Sequence, residues 1–352
     1  MLVALSGGVD SAVALLRLAA AGRRVEAAIA KLWPGDDPRS CCGPTAIARA
    51  QAAADAFGVR LHVLDEQARF ARTVVEPFVA AYLAGETPNP CVRCNPERLA
   101  ALVGLADERG LARLATGHYA RLVTRAGEPW DGGGEEPYLA RAVDRAKDQS
   151  YMLAAVPPTL LARLEFPLGD MTKAETRSAA REAGLTAAEQ PESQEVCFAL
   201  EGYRAFLEEQ GVKPLPGPIV DRRGRVLGEH DGHWRFTIGQ RRGLGVAAAR
   251  RLYVIGLDPA GNRVVVGGAG ETLRRRLLLR DVTWLDAPGR GSLGALVQIR
   301  SRHEAAAAEV VVGVGSAEVE FVDPVTSPAP GQAAVIYDGD RVLGGGWIAS
   351  TS

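Results

Sequence analysis

Two kinds of reactive residue stand out in this chain: a glycine pair among hydroxyls and a carboxylate, Ser6-Gly7-Gly8-Val9-Asp10-Ser11, and a set of thiols led by Cys91, Cys94 and Cys197. The glycine pair follows the apolar run Leu2-Val3-Ala4-Leu5 and precedes a helix-forming stretch. Lacking Cβ atoms, Gly7 and Gly8 let the backbone turn sharply and approach an anion closely. The unpaired N–H groups that open the next helix then point at that anion. Such a turn cradles a nucleotide's phosphates, and a plain helix cap would require neither Asp10 nor Ser11. No lysine follows as Gly-Lys-Ser/Thr, so the loop that grips β- and γ-phosphates for hydrolysis is absent.

The first two thiols sit in Thr87-Pro88-Asn89-Pro90-Cys91-Val92-Arg93-Cys94-Asn95. Its prolines predict a rigid extended loop that holds both cysteines out of regular structure, just ahead of a helix. Arg93 and the helix N-terminus both favour a thiolate, the form that acts as nucleophile. The other readings of the pair are a zinc knuckle or two buried hydrophobes. A complete zinc site needs four ligands, and no second Cys-x-x-Cys or paired His occurs. Cys197 stands beside Val196 and Phe198, a setting more usual for a core cysteine than a reactive one. Cys41 and Cys42 receive no role.

The elements that must position these residues alternate over the first 120 residues. Strands are predicted at Leu2–Leu5, Val25–Ala30, Arg60–Leu64 and Leu111–Ala115, and helices at Ser11–Ala21, Pro44–Phe57, Phe70–Ala84 and Arg98–Glu108. Repeated βα units imply a parallel sheet with helices on both faces, and ligands then sit beyond the carboxyl ends of the strands. Those ends carry Ser6–Ser11, Lys31, Asp65 and Thr116-Gly117-His118. Residues 124–137 read as an exposed loop with no packing role. Thr172 and Glu175 form a capping box, with Gly184 ending that helix, and a short helix spans Tyr203–Gln210. Beyond about residue 214 short strands take over, at Leu252–Leu257, Arg263–Val266, Ala295–Ile299, Glu309–Val312, Glu318–Val322 and Ala333–Tyr337.

Length and composition set bounds. A chain of 352 residues exceeds one compact core, so two or three domains are expected. No apolar run is long enough to cross a membrane, and the start enters a strand without a basic stretch or cleavage site, so the expected setting is cytoplasmic, with no membrane partner. Five unevenly spread cysteines do not make a secreted disulfide framework. Net charge is −1, so any nucleic acid must be held by local patches. Basic clusters do occur in the β-rich half: Arg222, Arg223 and Arg225; Arg241 and Arg242; Arg250 and Arg251; Arg274–Arg276; and Arg300 with Arg302 and His303. Many such clusters are merely solvated faces balanced by nearby carboxylates.

The glycine turn resembles the PP-loop of ATP pyrophosphatases, which attach AMP to a substrate oxygen and release pyrophosphate. Four further segments join it: Thr116-Gly117-His118-Tyr119-Ala120-Arg121, Lys147-Asp148-Gln149-Ser150-Tyr151, Glu192-Ser193-Gln194-Glu195-Val196-Cys197-Phe198, and Phe236-Thr237-Ile238-Gly239-Gln240-Arg241-Arg242-Gly243-Leu244-Gly245. With the cysteine segment, this set resembles the tRNA-uridine 2-sulfurtransferases of the MnmA type, essentially from Met1 to the end.

The resemblance implies an α/β fold with three parts. A PP-loop domain with a parallel sheet, adenine nucleotide α-hydrolase-like, would span 1–202, a small central β domain that contacts tRNA 203–270, and a C-terminal β-barrel 271–352. It implies thiolation of C2 of a tRNA wobble uridine. By position, Ala4, Leu5, Ser6, Gly7, Gly8, Val9, Asp10, Ser11, Ala30 and Gly117 would hold ATP. Asn89, Pro90 and Cys91 would face the target base, and His118, Lys147, Asp148, Gln149, Arg300, Ser301 and Gln332 would touch tRNA. Cys94 would be the nucleophile and Cys197 the persulfide carrier, leaving a transient Cys94–Cys197 disulfide. ATP and Mg²⁺ are implied, with a persulfide donor, a desulfurase or relay protein, as second partner.

One position departs from the family pattern: Cys91 stands where Asp is common. This raises a competing chemistry in which Cys91, Cys94 and Cys197 ligate a [4Fe–4S] cluster. Two other function classes remain beside thiolation. One is a different PP-loop adenylating enzyme, such as an amide-forming ligase, and the other a tRNA-binding module without catalysis.

Overall fold

The computed structural model describes residues 1–35, 37, 43–130, 132–189, 196–286, 289 and 291–352. Cys41, Cys42 and Glu192-Ser193-Gln194-Glu195 lie outside the described residues. The chain opens with β1 (Leu2–Ala4), α1 (Val9–Ala20), β2 (Glu26–Lys31), α2 (Pro44–Ala56) and β3 (Leu61–Asp65). A helical run follows as α3 (Gln67–Phe70), a π-helical turn (Ala71–Val75) and α4 (Glu76–Leu83). Next come α5 (Pro90–Glu108), β4 (Leu114–Thr116), β5 (Ala120–Val123), β6 (Tyr138–Arg141), α6 (Ser150–Leu153), α7 (Pro158–Leu161), β7 (Leu164–Glu165), α8 (Lys173–Glu182) and α9 (Tyr203–Glu209). Residues 1–74, 91–202 and 340–342 form one compact unit, and residues 75–90, 203–339 and 343–352 form another.

The first unit is built on a five-stranded sheet in the order β3-β2-β1-β4-β7. All its pairings are parallel, with Val3 opposite both Ala27 and Ala115. After β1 the chain adds β2 and β3 on one side and later β4 and β7 on the other, so the direction of winding reverses at β1. A crevice beyond the carboxyl ends of the strands is expected at that reversal. Leu15 and Leu18 of α1 and Ala46, Ala50 and Ala54 of α2 bury themselves against Val3, Ala27 and Ile29. The small alanine side chains let α2 approach the sheet closely.

Three readings of the sequence are corrected here. The two cysteines do not occupy an extended loop, because α5 begins at Pro90 and carries both in its opening turns. Proline suits the first helical position, since its missing N–H would have no partner there and its φ is already helical. The segment 124–137 joins the antiparallel pair β5–β6 and does pack: Trp130 lies 4.7 Å beneath the Arg113 guanidinium and donates from Nε1 to the Gly133 carbonyl at 2.9 Å. The strand predicted at Leu111–Ala115 forms only over Leu114–Thr116.

The second unit is largely β. β8 (Gly217–Asp221), β9 (Val226–His230), β10 (Tyr253–Asp258) and β11 (Arg263–Gly267) form a sheet in the order β10-β11-β8-β9, over Ile219, Phe236, Val254, Val264 and Val266. β12 (Leu273–Trp284), β13 (Ser292–Gln298), β14 (Ala306–Val312), β15 (Ser316–Thr326), β16 (Ala333–Asp338) and β17 (Arg341–Thr351) run in the order β12-β15-β14-β13-β16-β17. Pairing of β12 with β17 closes them into a six-stranded barrel, with Leu277 opposite Thr351. Its interior holds Leu279, Ile299, Val310, Phe321, Ile336 and Ile348. Two of these strands were not anticipated. β12 is rich in arginine and turns only Leu277, Leu279 and Val282 fully inward. β17 contains Gly344-Gly345-Gly346, which reads as a turn, but a Cβ on Gly344 would come within 2.6 Å of the Thr283 carbonyl oxygen on β12. The glycines are there so that the barrel can close.

Candidate active site

The glycine turn lies at the carboxyl end of β1, where the sheet reverses. Gly7 has φ +71°, a conformation that favours glycine, and a Cβ there would meet the Ala46 carbonyl oxygen at 2.6 Å. Gly8 caps α1 in an extended conformation and, being glycine, adds no side-chain cap to the first amides of the helix. Ser11 stabilises the turn from inside: its hydroxyl donates to the Gly8 carbonyl at 2.9 Å and accepts from the Ser6 amide at 3.1 Å. Of the expected nucleotide residues, Ala4 ends β1, Leu5–Gly8 form the turn, Val9, Asp10 and Ser11 open α1, and Ala30 lies in the neighbouring β2. Gly117 follows β4 on the other side, and a Cβ there would lie 2.7 Å from the Ser11 amide nitrogen. The fold brings all ten to one edge.

Asp10 does not stand alone. Lys173, the first residue of α8, donates from Nζ to both its carboxylate oxygens at 2.7 and 2.9 Å, and the Tyr119 hydroxyl lies 3.0 Å from Oδ1 and 2.8 Å from Thr176 Oγ1. Burial raises the Tyr119 pKa, so the phenol keeps its proton. The capping box foreseen at Thr172 and Glu175 is present and fixes the start of α8, and with it Lys173. Lys173 and Tyr119 were missed as site residues, although Lys173 is one of four lysines and follows the cap directly.

The first turns of α5 are anchored at the end of β4. Buried Asn95 donates to the Met152 carbonyl at 2.8 Å and accepts from Arg98 at 2.8 Å, while Arg98 faces His118 Nε2 at 3.5 Å. A guanidinium only donates, so the His118 proton sits on Nδ1, 2.7 Å from Thr116 Oγ1. Burial, with Arg98 adding to it, pushes the His118 pKa down to about 3. Cys94 is half-buried and Cys91 exposed.

Half-buried Cys197 is positioned through its neighbour. Buried Phe198 lies 5.6 Å from Phe70 of α3 and 6.0 Å from Trp33, just past the carboxyl end of β2. Arg69, next to Phe70, binds Glu97 of α5 at 2.9 Å, one turn beyond Cys94. The segment that carries Cys197 and the helix that carries Cys94 are thus both tied to the α3 stretch, through Phe70 and Arg69 respectively. No disulfide joins Cys91, Cys94 or Cys197. Among the described residues, no three His, Cys, Asp or Glu side chains are grouped to hold a metal ion.

The residues expected at tRNA divide. Asp148 accepts from Arg141, Ala142 N, Ser150 N and Ser150 Oγ at 2.9–3.1 Å, and its side chain is 5% exposed. Gln149 Oε1 accepts from the Tyr119 amide at 2.9 Å. Lys147 is half-buried. In the second unit Arg300 donates to the carbonyls of Thr326 and Ser327, beside Ser301. Gln332 donates to the Thr87 carbonyl at 2.8 Å, two residues before Asn89 and three before Pro90. The Gly239–Gly245 segment is a self-bonded turn, in which Gln240 donates to the Arg242 carbonyl and Gly239, Gly243 and Gly245 have positive φ.

Three protein-family models match consecutive stretches: a tRNA methyl transferase HUP domain over residues 1–201, a tRNA methyl transferase PRC-barrel domain over 204–268, and an aminomethyltransferase beta-barrel domain over 274–348. A tRNA-specific 2-thiouridylase MnmA of Sorangium cellulosum is 45% identical, over 98% of this chain and 91% of that protein. One from Geobacter metallireducens is 43% identical over 99% and 96%. A bifunctional protein NifU/MnmA of Rubrobacter xylanophilus is 46% identical over 99% of this chain and 70% of that protein. No helix among the described residues is long and apolar enough to cross a membrane.

Proposed function

The chain belongs to the tRNA-specific 2-thiouridylase family, and from that premise we propose that it exchanges oxygen for sulfur at C2 of a tRNA wobble uridine, consuming ATP. The observation that carries this reading is the shared rim: the phosphate turn at β1 and the start of α5 with Cys94, both anchored to the end of β4.

The uridine carbonyl is a poor electrophile, so it is activated first. Its O2 attacks the α-phosphorus of ATP, the bond to pyrophosphate breaks, and an O2-adenylated base forms. Amides of the first turn of α1 would stabilise the departing pyrophosphate, and Mg²⁺, when bound, would supply further neutralisation of its charge. Asp10 is committed to Lys173 and is not assigned as a metal ligand. Cys94 thiolate then attacks the inner sulfur of a Cys197 persulfide, forming Cys94–Cys197 and releasing hydrosulfide. Hydrosulfide adds at C2, AMP leaves, and 2-thiouridine remains. His118 is neutral at physiological pH, so in this scheme it contacts the RNA and does not act as an acid.

Residues 1–202 are assigned the chemistry, 203–270 and 271–352 the holding of tRNA by Arg300, Ser301, Gln332 and the arginine clusters. An external persulfide protein is assigned as sulfur donor. The family-model descriptions favour a second reading, methyl transfer, but that reaction needs no phosphate turn beside two thiols. Incubating the protein with tRNA, ATP and a persulfide donor distinguishes the two. Expected are AMP and pyrophosphate formed only with tRNA, 2-thiouridine in the digest, and loss of 2-thiouridine in Cys94→Ala and Cys197→Ala. AMP release without tRNA overturns the proposal in favour of another adenylating activity. Iron assay of anaerobically purified protein is expected to find active, iron-free enzyme.

A further inference from the structure

The catalytic scheme accounts for Cys94 and Cys197 and leaves Cys91 without a task. Cys91 and Cys94 are three residues apart in α5, so their side chains share a helix face. Helical geometry sets their Cα atoms about 5 Å apart, within the span of roughly 4.4–6.8 Å that a disulfide bridges. The turn that carries them is fastened from below: Val92 and Asn95 are buried, Asn95 is tied to Met152, and Glu97 to Arg69. Pro96 lies inside α5, one residue beyond Asn95, and supplies no backbone amide of its own to the helix. The two sulfurs differ in access, Cys91 being exposed and Cys94 half-buried. A helix start also favours the thiolate forms that exchange disulfides.

Resting on the thiolation reading, we propose that Cys91 is the resolving thiol of the cycle, so that the start of α5 is a thiol–disulfide exchange site. After sulfur transfer, Cys91 thiolate attacks Cys94 Sγ in the Cys94–Cys197 disulfide. The bond to Cys197 breaks, Cys197 leaves as thiolate ready for another sulfur atom, and a Cys91–Cys94 disulfide forms with no net change in oxidation. An external dithiol then attacks the exposed Cys91 sulfur. Its second thiol closes on the mixed disulfide, supplying the two electrons that restore both cysteines as the dithiol becomes a disulfide.

The test traps full-length protein by acid quench and alkylation after turnover with limiting dithiothreitol, then maps disulfides by mass spectrometry. Expected is a Cys91–Cys94 disulfide in the wild type and a Cys94–Cys197 disulfide in Cys91→Ser. Turnover of that variant should fall about tenfold at limiting dithiothreitol and recover as dithiothreitol is raised, since direct reduction replaces exchange. Formation of 2-thiouridine with Cys91 still alkylatable and Cys94–Cys197 accumulating in the wild type overturns the inference but leaves thiolation standing. A Cys91–Cys94 disulfide on oxidation of the resting protein, with no 2-thiouridine ever formed, keeps the exchange site and removes the thiolation reading.

Discussion

Gly117 has no room for a methyl group: its Cβ would lie 2.7 Å from both the Asp10 carbonyl carbon and the Ser11 amide nitrogen, backbone atoms that cannot step aside singly. Gly117→Ala should therefore displace the phosphate turn, an overpacking cost of about 1–3 kcal/mol. We expect the KM for ATP to rise about tenfold in pyrophosphate-release assays while far-UV circular dichroism stays unchanged. An unaltered KM would mean that the turn is not the nucleotide site. His118 gives a second prediction at this scale. Its folded-state pKa of about 3 lies below the unfolded value near 6.5, so below that value the unfolded chain binds a proton that the folded chain refuses. Its contribution is thus fully present above about pH 6.5 and is lost as pH falls, at up to roughly 1.4 kcal/mol per pH unit. Denaturant midpoints of wild type and His118→Asn should converge on acidification from pH near 7 to near 5 by that slope. The phosphate turn was legible in the sequence because its residues are contiguous and glycine has few reasons to be paired there. The Lys173–Asp10–Tyr119 contact was not, since its members are up to 163 residues apart and only the fold unites them.

Elements were legible where periodicity was undiluted. β1, α1, β2 and α2 fell within a residue or two of expectation because each is an apolar run or an apolar stripe bounded by glycine or proline. α5 was misread at its start because prolines at 88, 90 and 96 suggest extended chain, although a proline at the first helical position costs nothing. β12 and β17 were overlooked for opposite reasons, exposed arginines in one and a glycine triplet in the other, both of which make sense only once the barrel closes. At this scale the segment after residue 196 depends on one ring. Phe198 packs on Phe70 and Trp33, and removing it deletes contacts of a kind worth about 3–5 kcal/mol in a core, here concentrated on a short stretch. Phe198→Ala should release Cys197 locally without unfolding the sheet, raising its alkylation rate by iodoacetamide at least about tenfold. Equal rates in variant and wild type would mean that the aromatic contact does not hold Cys197 in place.

Across the whole molecule, a net charge of −1 must be reconciled with binding a polyanion. Much of the arginine in the second unit is already neutralised: Arg225 by Asp221, Arg263 by Asp258, Arg276 by Glu320, Arg280 by Glu86, and Arg222 and Arg250 jointly by Glu271. Such exposed pairs contribute little to stability, and they reduce the positive potential at those points. Arg223, Arg241, Arg242, Arg251 and Arg302 are exposed and form no ion pair among the described residues. Sequence alone could list the clusters but not sort them, because pairing depends on cross-strand register. If these five contact phosphates, counterion release gives a slope of log affinity against log salt of about −3.5 to −4.5, with each contact supplying about −0.7 to −0.9. Replacing Arg241 and Arg242 by serine should then flatten the slope by about 1.5 and weaken binding most at low salt. Replacing paired Arg263 should leave the slope nearly where it was, since its charge is largely spent on Asp258. Fluorescence titration of labelled tRNA from low to moderate salt reads all three. Identical slopes for wild type and the double variant would remove the Gly239–Gly245 turn from the RNA-binding surface.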